Sequence, residues 1–253
     1  MSRYIRKSYF YFIYMISRVF FVWNFLRGKK RVLVFTDSRG FEITKKTNRG
    51  NPFSSYASHI IKNYCCDYYL CPEKYTSIVD FIALNKEIDI NKYDLIILHC
   101  GIVDFAPRPE SSFLEMRDMK SLKAEENGVT DFISKARLDD TYYMGESTFS
   151  YIDYLELPEL LTSLDSIKNK TIYIGISRVL TGWRGNYWRD RPFNINRQLD
   201  ANEIMLDYFK NNIDLSKWSD ENIKEYTSDN VHYTSAGFSV IKKELIKALE
   251  NIE

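Results

Sequence analysis

Runs of consecutive apolar residues alternate along this chain with segments of helical periodicity. The two clearest runs cover residues 32–35 (VLVF) and 93–100 (YDLIILHC), and two weaker runs cover residues 67–71 and 171–177. A short apolar run without polar alternation is typical of a strand that is buried on both faces of a parallel sheet. We therefore predict four parallel strands at these positions.

Between and after these strands, apolar residues recur at the three- and four-residue spacing of helices. The predicted helices cover residues 51–63, 75–85, 147–167, 201–211 and 234–251. Strands that alternate with helices predict an α/β fold, in which helices cover both faces of a parallel sheet. Residues 107–144 have a weak and charged pattern, which indicates an insertion of short helices and loops.

A separate apolar segment, residues 9–26, precedes the first strand. Ser17 and Asn24 are seven residues apart and, with Arg18, would form a thin polar stripe on an otherwise apolar and aromatic helix. Three arrangements fit this pattern. The helix could lie in a membrane surface, span the membrane with a costly arginine near its centre, or pack on the protein itself or on a partner chain.

The charge distribution sets the N-terminal segment apart from the rest. The chain has a formal net charge of +1, but residues 1–31 hold eight Lys and Arg residues and no acid, which leaves the remainder at −7. A total so close to zero argues against nucleic acid as the main partner. A basic apolar helix favours peripheral membrane contact through residues 8–28. We predict a basic, aromatic-rich helix over residues 1–30 and an α/β domain over residues 31–253.

The four cysteines are Cys65, Cys66, Cys71 and Cys100. They show neither C-x-x-C spacing nor a set of histidine partners at the spacing of a metal site, so the sequence predicts neither a zinc site nor a disulfide framework. This usage fits a reducing compartment. We predict a cytoplasmic protein in contact with the inner face of the membrane, with no metal or other cofactor.

Ser38 is the first candidate for a catalytic residue. It follows the strand at residues 32–35, at the sheet edge where α/β proteins collect their chemistry, although a plain turn is the alternative for this stretch alone. A nucleophilic serine needs an imidazole base that a carboxylate holds in place. Of the three histidines, His232 fits best, because it lies in a polar loop three residues after Asp229.

Three short motifs together resemble those of the SGNH hydrolases, the GDSL-like esterases and acyltransferases. In chain order they are Asp37-Ser38, Gly101-x-x-Asp104 and Asp229-x-x-His232. The resemblance covers residues 31–250 and implies a three-layer, flavodoxin-like α/β/α fold. It also implies acyl transfer, with Ser38 as nucleophile, His232 as base and Asp229 as orienting acid. The backbone N–H groups of Ser38 and Gly101 would form the oxyanion hole.

The chain departs from the family's pattern at three places. Thr36 stands where the family has the glycine of Gly-Asp-Ser. Val103 stands where it has an asparagine whose side chain donates to the oxyanion. Residues 72–74 lack the glycine of the second motif. An arginine near the site would replace the missing donor or bind an anionic substrate group, such as a carboxylate or phosphate.

Several side chains are candidates for substrate binding. They are Arg39, Asp104, Arg108, Arg178, Trp183 and Arg184. Among them, Arg108 and Arg178 are the preferred partners of an anionic group. The segment 183–197 is rich in Trp, Tyr and Arg, which suits stacking on sugar rings and binding of acidic sugars.

These features favour a serine-dependent O-acyl esterase or O-acetyltransferase that acts on a carbohydrate, either a polysaccharide or a glycan precursor, through an acyl-Ser38 intermediate. Val103 favours an alternative, a catalytically inactive protein of the same fold that binds carbohydrate or serves as a scaffold. The apolar N-terminal segment, taken alone, favours a third function, an esterase acting on membrane lipids.

Overall fold

A five-stranded parallel sheet forms the centre of the protein, which a computed structural model describes over residues 3–252. The strands, in chain order, are β1 (Arg31–Thr36), β2 (Cys65–Leu70), β3 (Leu95–His99), β4 (Arg108–Pro109), β5 (Tyr142–Tyr143), β6 (Glu146–Phe149), β7 (Thr171–Ile174) and β8 (Asn211–Ile213). The parallel sheet has the order β2-β1-β3-β7-β8, and a small antiparallel sheet has the order β4-β6-β5.

The position of β1 defines the topology. Val34 of β1 pairs with Tyr68 of β2 on one side and with Ile97 of β3 on the other, and Ile97 lies beside Ile172 of β7. The second strand of the sheet is therefore on one side of the first, and the later strands are on the other. This is the strand order of flavodoxin-like α/β/α proteins, which bind their ligands where the winding reverses. The predicted fold class is confirmed.

Helices cover both faces of the parallel sheet. In chain order they are α1 (Arg3–Leu26), α2 (Ala57–Asn63), α3 (Ile78–Glu87), α4 (Ile102–Phe105), α5 (Glu110–Glu126), α6 (Leu157–Thr162), α7 (Gln198–Tyr208), α8 (Asp220–Tyr226) and α9 (Ser235–Glu250). The core on one face includes residues of α3, α6 and α7, and the core on the other includes residues of α2 and α9.

The apolar runs form strands because both of their faces are buried. In β1, Leu33 and Phe35 belong to the core that includes α3, and the ring of Phe35 lies 5.2 Å from that of Phe81. Val32 and Val34 belong to the opposite core. Each such buried side chain stabilises the fold by about 1.5–3 kcal/mol.

The prediction of short helices and loops for residues 107–144 is wrong in part, because α5 is a continuous helix of 17 residues. Its buried positions follow helical spacing and are Phe113, Met116, Lys120 and Ala124. Lys120 obscures this pattern in the sequence. It tolerates burial because its ammonium group lies 2.7 Å from the Asp80 carboxylate and 2.8 Å from that of Glu73.

The predicted helix over residues 147–167 is also wrong over most of its length. Its first residues belong to β6, which pairs with β4 and β5, and only Leu157–Thr162 is α-helical. Thr148 and Phe149 are of types that favour strands. The sequence analysis also missed β8, because a three-residue edge strand with two asparagines carries almost no apolar pattern.

The N-terminal helix α1 packs against α2 and β2 at the edge of the parallel sheet. Among the described helices, α1 alone is long and apolar enough to cross a membrane, judged by length and composition. These contacts show that α1 packs on the protein itself, and they do not by themselves decide whether its other face meets a membrane or a partner chain.

Candidate active site

Ser38 lies in a tight turn at the carboxyl end of β1. The Asp37 N–H donates to the carbonyl oxygen of His99 (2.9 Å), which keeps the chain paired with β3 up to the residue before the serine. Ser38–Gly40 then form one 3₁₀ turn, in which the Asp37 carboxylate accepts the backbone N–H of Arg39 (2.9 Å). The turn leaves Ser38 half-buried.

The close approach of Gly40 to Thr36 fixes the shape of this turn. A Cβ atom at Gly40 would lie 1.9 Å from Oγ1 of Thr36, so a larger residue at position 40 would displace the chain around Ser38. Thr36 itself is buried in β1. Thr36, which stands at the glycine of the Gly-Asp-Ser pattern, is therefore the buried last residue of β1.

The loop between α8 and α9 positions the candidate base and acid. An antiparallel bridge between Thr227 and Tyr233 closes the loop. Inside it, Oδ1 of Asp229 accepts the backbone N–H groups of Val231 (3.1 Å) and His232 (2.7 Å). These bonds fix the carboxylate relative to the backbone that carries the imidazole.

Asn230 ties this loop to the segment that follows β7, a role the sequence analysis missed. Its φ of +72° lies in the left-handed region, which asparagine tolerates better than most side chains. Its side-chain oxygen accepts the N–H of Leu180 (2.9 Å). Its amide nitrogen donates to the carbonyl oxygens of Leu180 (2.9 Å) and Trp183 (2.6 Å).

Ser38, His232 and Asp229 form one hydrogen-bonded chain. Oγ of Ser38 lies 2.9 Å from Nε2 of His232, and Nδ1 of His232 lies 2.8 Å from Oδ2 of Asp229. This network assigns the Nδ1 proton to the carboxylate side, which leaves Nε2 to accept the serine proton. The structure thus brings together the three residues that the sequence selected, in the geometry of a nucleophile, a base and an orienting acid.

Arg191 is a further partner of Asp229 that the sequence analysis did not select. Its guanidinium lies 3.6 Å from Oδ2 of Asp229, donates to the backbone carbonyl of Asp229 (3.1 Å), and stacks 3.6 Å from the centre of the Tyr187 ring. Burial raises the pKa of Asp229, but the hydrogen bond and charge of His232 and the charge of Arg191 outweigh it and lower this pKa below its usual value. The carboxylate therefore stays ionised beside the imidazole.

Ser38 and His232 line a cavity of about 320 Å³. Its other walls carry aromatic and basic side chains, which include Tyr75, Arg108, Tyr143, Tyr187, Arg189 and Arg191. The Nε atoms of all three arginines are buried, and within residues 3–252 they find no hydrogen-bond partner. A larger cavity of about 730 Å³ runs along α5 and includes neither Ser38 nor His232. Geometry, rather than size, therefore identifies the first cavity as the candidate active site.

Gly101 shapes the turn between β3 and α4, next to Ile102 and Val103 in the cavity wall. Its φ of +118° and the 2.9 Å approach of a would-be Cβ to the Phe105 ring both require glycine. The side chain of Val103 lacks an N–H, so backbone N–H groups are the donors that this part of the site can offer an oxyanion.

The expectation that Arg39 binds substrate is wrong. Its side chain is only 1% exposed, and its guanidinium donates to both carboxylate oxygens of Asp37 (2.8–3.1 Å) and to the carbonyl oxygen of Gly175 (3.2 Å). Arg39 therefore supports the turn of Ser38 from inside the protein.

The expectation that Asp104 binds substrate is also wrong, since this residue is fully buried and does not line the cavity. Its Oδ2 accepts the backbone N–H of Ile78 (3.0 Å), and its carbonyl oxygen accepts the N–H groups of Tyr151 (2.7 Å) and Ile152 (3.1 Å). Burial raises the pKa of Asp104 to about 8. Asp104 thus links α4 to the start of α3.

Three more candidates lie outside the cavity, and one lies in it. Arg178 pairs with Asp220 at the start of α8, so its predicted contact with an anionic group is wrong. Trp183 and Arg184 belong to the correct segment but do not line the cavity, whereas Arg189 and Arg191 do. Arg108 lines the cavity and donates to the carbonyl oxygen of Val103. Burial lowers the pKa of Arg108.

The side chains of the other two histidines have partners other than Ser38. His99 is buried in β3, where its Nδ1 is 2.7 Å from the Tyr56 hydroxyl and burial holds its pKa well below the usual value. His59 lies on α2, where its Nδ1 is 3.4 Å from the side chain of Asn63. Within residues 3–252, no group of three or more His, Cys, Asp or Glu side chains could hold a metal ion.

Comparisons with known proteins bear on the fold. No protein-family model and no curated protein matches the sequence. One solved structure is 14% identical, with a TM-score of 0.52, over 88% of this chain and 97% of its own. A protein from Lactobacillus plantarum is 16% identical over the same shares, with a TM-score of 0.47. Identities this low indicate similarity of fold for the first structure and nothing about activity.

Proposed function

We propose that this protein is a serine-dependent acyl-transfer enzyme, an O-acyl esterase or O-acetyltransferase that acts on a carbohydrate. The observation that carries this proposal is the chain of hydrogen bonds from Ser38 through His232 to Asp229, opening into a cavity. This constellation recurs on unrelated folds wherever a serine attacks an acyl carbonyl.

In the proposed reaction, the Ser38 oxygen attacks the acyl carbonyl while Nε2 of His232 takes the serine proton. The imidazolium, stabilised by Asp229, then gives this proton to the leaving alkoxide as the ester C–O bond breaks, which leaves an acyl-Ser38 ester. In the second half, His232 deprotonates a water molecule or a sugar hydroxyl, which attacks this ester. The proton returns to Ser38, and the free acid or the acylated sugar leaves.

The residues of the cavity walls support a proposal for the class of substrate. Tyrosine rings suit the apolar faces of sugars. The guanidinium groups of Arg108, Arg189 and Arg191 suit a carboxylate or phosphate, because all three line the cavity and the Nε donor of each has no hydrogen-bond partner within residues 3–252. We therefore propose a carbohydrate ester that carries an anionic group near the acyl ester.

Covalent labelling tests the proposed nucleophile. A fluorophosphonate reagent is expected to label the folded protein at neutral pH, with the adduct on the peptide that contains Ser38, because such reagents require a serine activated by a base. His232→Gln should abolish this labelling. Folded protein that stays unlabelled from neutral to mildly alkaline pH would favour a carbohydrate-binding protein without catalysis, the alternative that Val103 supports.

The proposed contact between the arginines of the cavity and an anionic group of the substrate can be tested separately. Arg189→Met is expected to raise KM for an acetyl ester of an acidic sugar by about tenfold or more, because a charge-assisted hydrogen bond contributes about 1.5–3 kcal/mol. KM for the matched neutral sugar ester should change far less. Arg184→Met, an exposed position outside the cavity, is the control and should change neither value. Equal losses on both esters in Arg189→Met would contradict the anionic substrate while leaving the acyl chemistry intact.

A further inference from the structure

The helix α1 turns its polar side chains toward the protein. Asn24 is 0% exposed, and its amide donates to the carbonyl oxygens of Ile61 (3.1 Å) and Tyr64 (2.9 Å). Ser17 is 2% exposed and lies 3.4 Å from the Tyr68 hydroxyl. A helix on the surface of a water-soluble protein has the opposite arrangement, with its polar stripe in solvent.

Two more polar contacts extend this docking along the helix. The Arg18 guanidinium lies 2.7 Å from the Asp67 carboxylate on β2. Nearer the start of α1, the Tyr9 hydroxyl accepts a hydrogen bond from the Asn51 amide (3.0 Å). From Tyr9 to Asn24 the docked stretch is about 23 Å long, at about 1.5 Å per residue. The helix is therefore held against the domain over most of its length.

The outward face of α1 is apolar. Its exposed large apolar side chains are Ile5, Tyr11, Phe12, Tyr14, Met15, Val19, Val22, Trp23, Phe25 and Leu26. Trp23 is 59% exposed and Leu26 is 77% exposed. Positions 12, 15, 19, 22, 23 and 26 form one continuous stripe at helical spacing. Soluble monomers rarely expose contiguous apolar patches larger than a few hundred Å², and larger ones mark interaction surfaces.

The ends of this apolar face are basic. Lys7 is exposed before it, and Arg27 and Lys29 are exposed after it. Residues 1–31 include no acidic residue. An apolar face flanked by cations complements a bilayer with anionic headgroups, because the cations reach the phosphates while the apolar side chains enter the acyl boundary.

We infer that α1, docked on the α/β domain, lies in the plane of an anionic bilayer and inserts its outward apolar face. A spanning helix would have to leave the domain and carry Arg18, Ser17 and Asn24 into hydrocarbon without their present partners, at high cost. A symmetric dimer through the same faces would bring the basic ends of two α1 helices together with no acid on either helix.

Vesicle binding of the full chain tests this inference. The protein is expected to sediment with phosphatidylcholine vesicles that contain phosphatidylglycerol, and much less with phosphatidylcholine alone or at high salt. The variant Val19→Glu/Trp23→Glu should lower the partition coefficient at least about tenfold. Leu122→Glu/Leu155→Glu adds the same charge at exposed apolar positions away from α1 and should bind as the unmodified protein does.

Two further measurements separate the possible occupants of this face. Brominated lipids should quench Trp23, identified by the signal lost in Trp23→Phe, and alkaline carbonate should release the protein from membranes. If alkaline carbonate does not release the protein, the helix spans the membrane and the inference is overturned. Equal vesicle binding by both glutamate variants would also overturn it. A third contrary outcome is an unmodified protein that does not bind vesicles and forms a dimer by light scattering that Val19→Glu/Trp23→Glu dissociates.

Discussion

Ser38→Ala is expected to lower kcat/KM for ester hydrolysis by at least about 10³-fold, because loss of the nucleophile of a triad leaves only binding and oxyanion stabilisation. The stability of the fold should change little. Ser38 is half-buried, and the hydrogen bond between its hydroxyl and His232 contributes about 0.5–1.5 kcal/mol. Hydrolysis of p-nitrophenyl acetate and of acetylated sugars measures the first effect, and urea unfolding measures the second.

The matched control is Ser58→Ala, since Ser58 is also half-buried but lies on α2, outside the cavity. Its kcat/KM should stay within about threefold of the unmodified enzyme, because substitutions away from such a site change free energies by about 0.5 kcal/mol or less. Activity of Ser38→Ala within tenfold of the unmodified protein would contradict the acyl-Ser38 mechanism.

The strands of the sheet could be predicted where burial on both faces gives a run of consecutive apolar residues. This holds for β1 and β3, whose side chains fill both cores. The pattern failed where tertiary partners replace hydrophobicity. Lys120 occupies a buried position of α5 only because carboxylates from elsewhere in the chain neutralise it. β8 forms because β7 offers an edge, which no local pattern in Asn211–Ile213 reveals.

The residues of the candidate site were likewise predictable only where a local sequence motif marks them. Ser38, Asp229 and His232 were identifiable because each stands in a short motif beside a strand or helix end. Arg191 was not, because its contact with Asp229 depends on how a long loop folds back onto the loop before α9. The composition of residues 183–197 indicated arginines at the site without telling which ones face the cavity.

Arg39→Met is expected to destabilise the protein by about 3–5 kcal/mol, the cost of leaving one member of a buried ion pair without its partner. Arg39 and Asp37 are almost fully buried. Burial lowers the pKa of Arg39, but the charge and hydrogen bonds of Asp37 outweigh it and raise this pKa above its usual value. Urea unfolding measures the loss. Arg178→Met breaks the more exposed pair with Asp220 and should cost at most about 1 kcal/mol.

A second variant distinguishes the unpaired charge from the lost packing of the arginine. If the cost of Arg39→Met arises from the carboxylate left in the core, Asp37→Asn/Arg39→Met should be more stable than Arg39→Met alone, because it removes that charge. A double variant that is no more stable than the single one would contradict this explanation, because the asparagine oxygen can still accept the backbone N–H of residue 39 and only the charge has been removed. The cost of Arg39→Met would then arise from the lost packing and hydrogen bonds of the buried guanidinium.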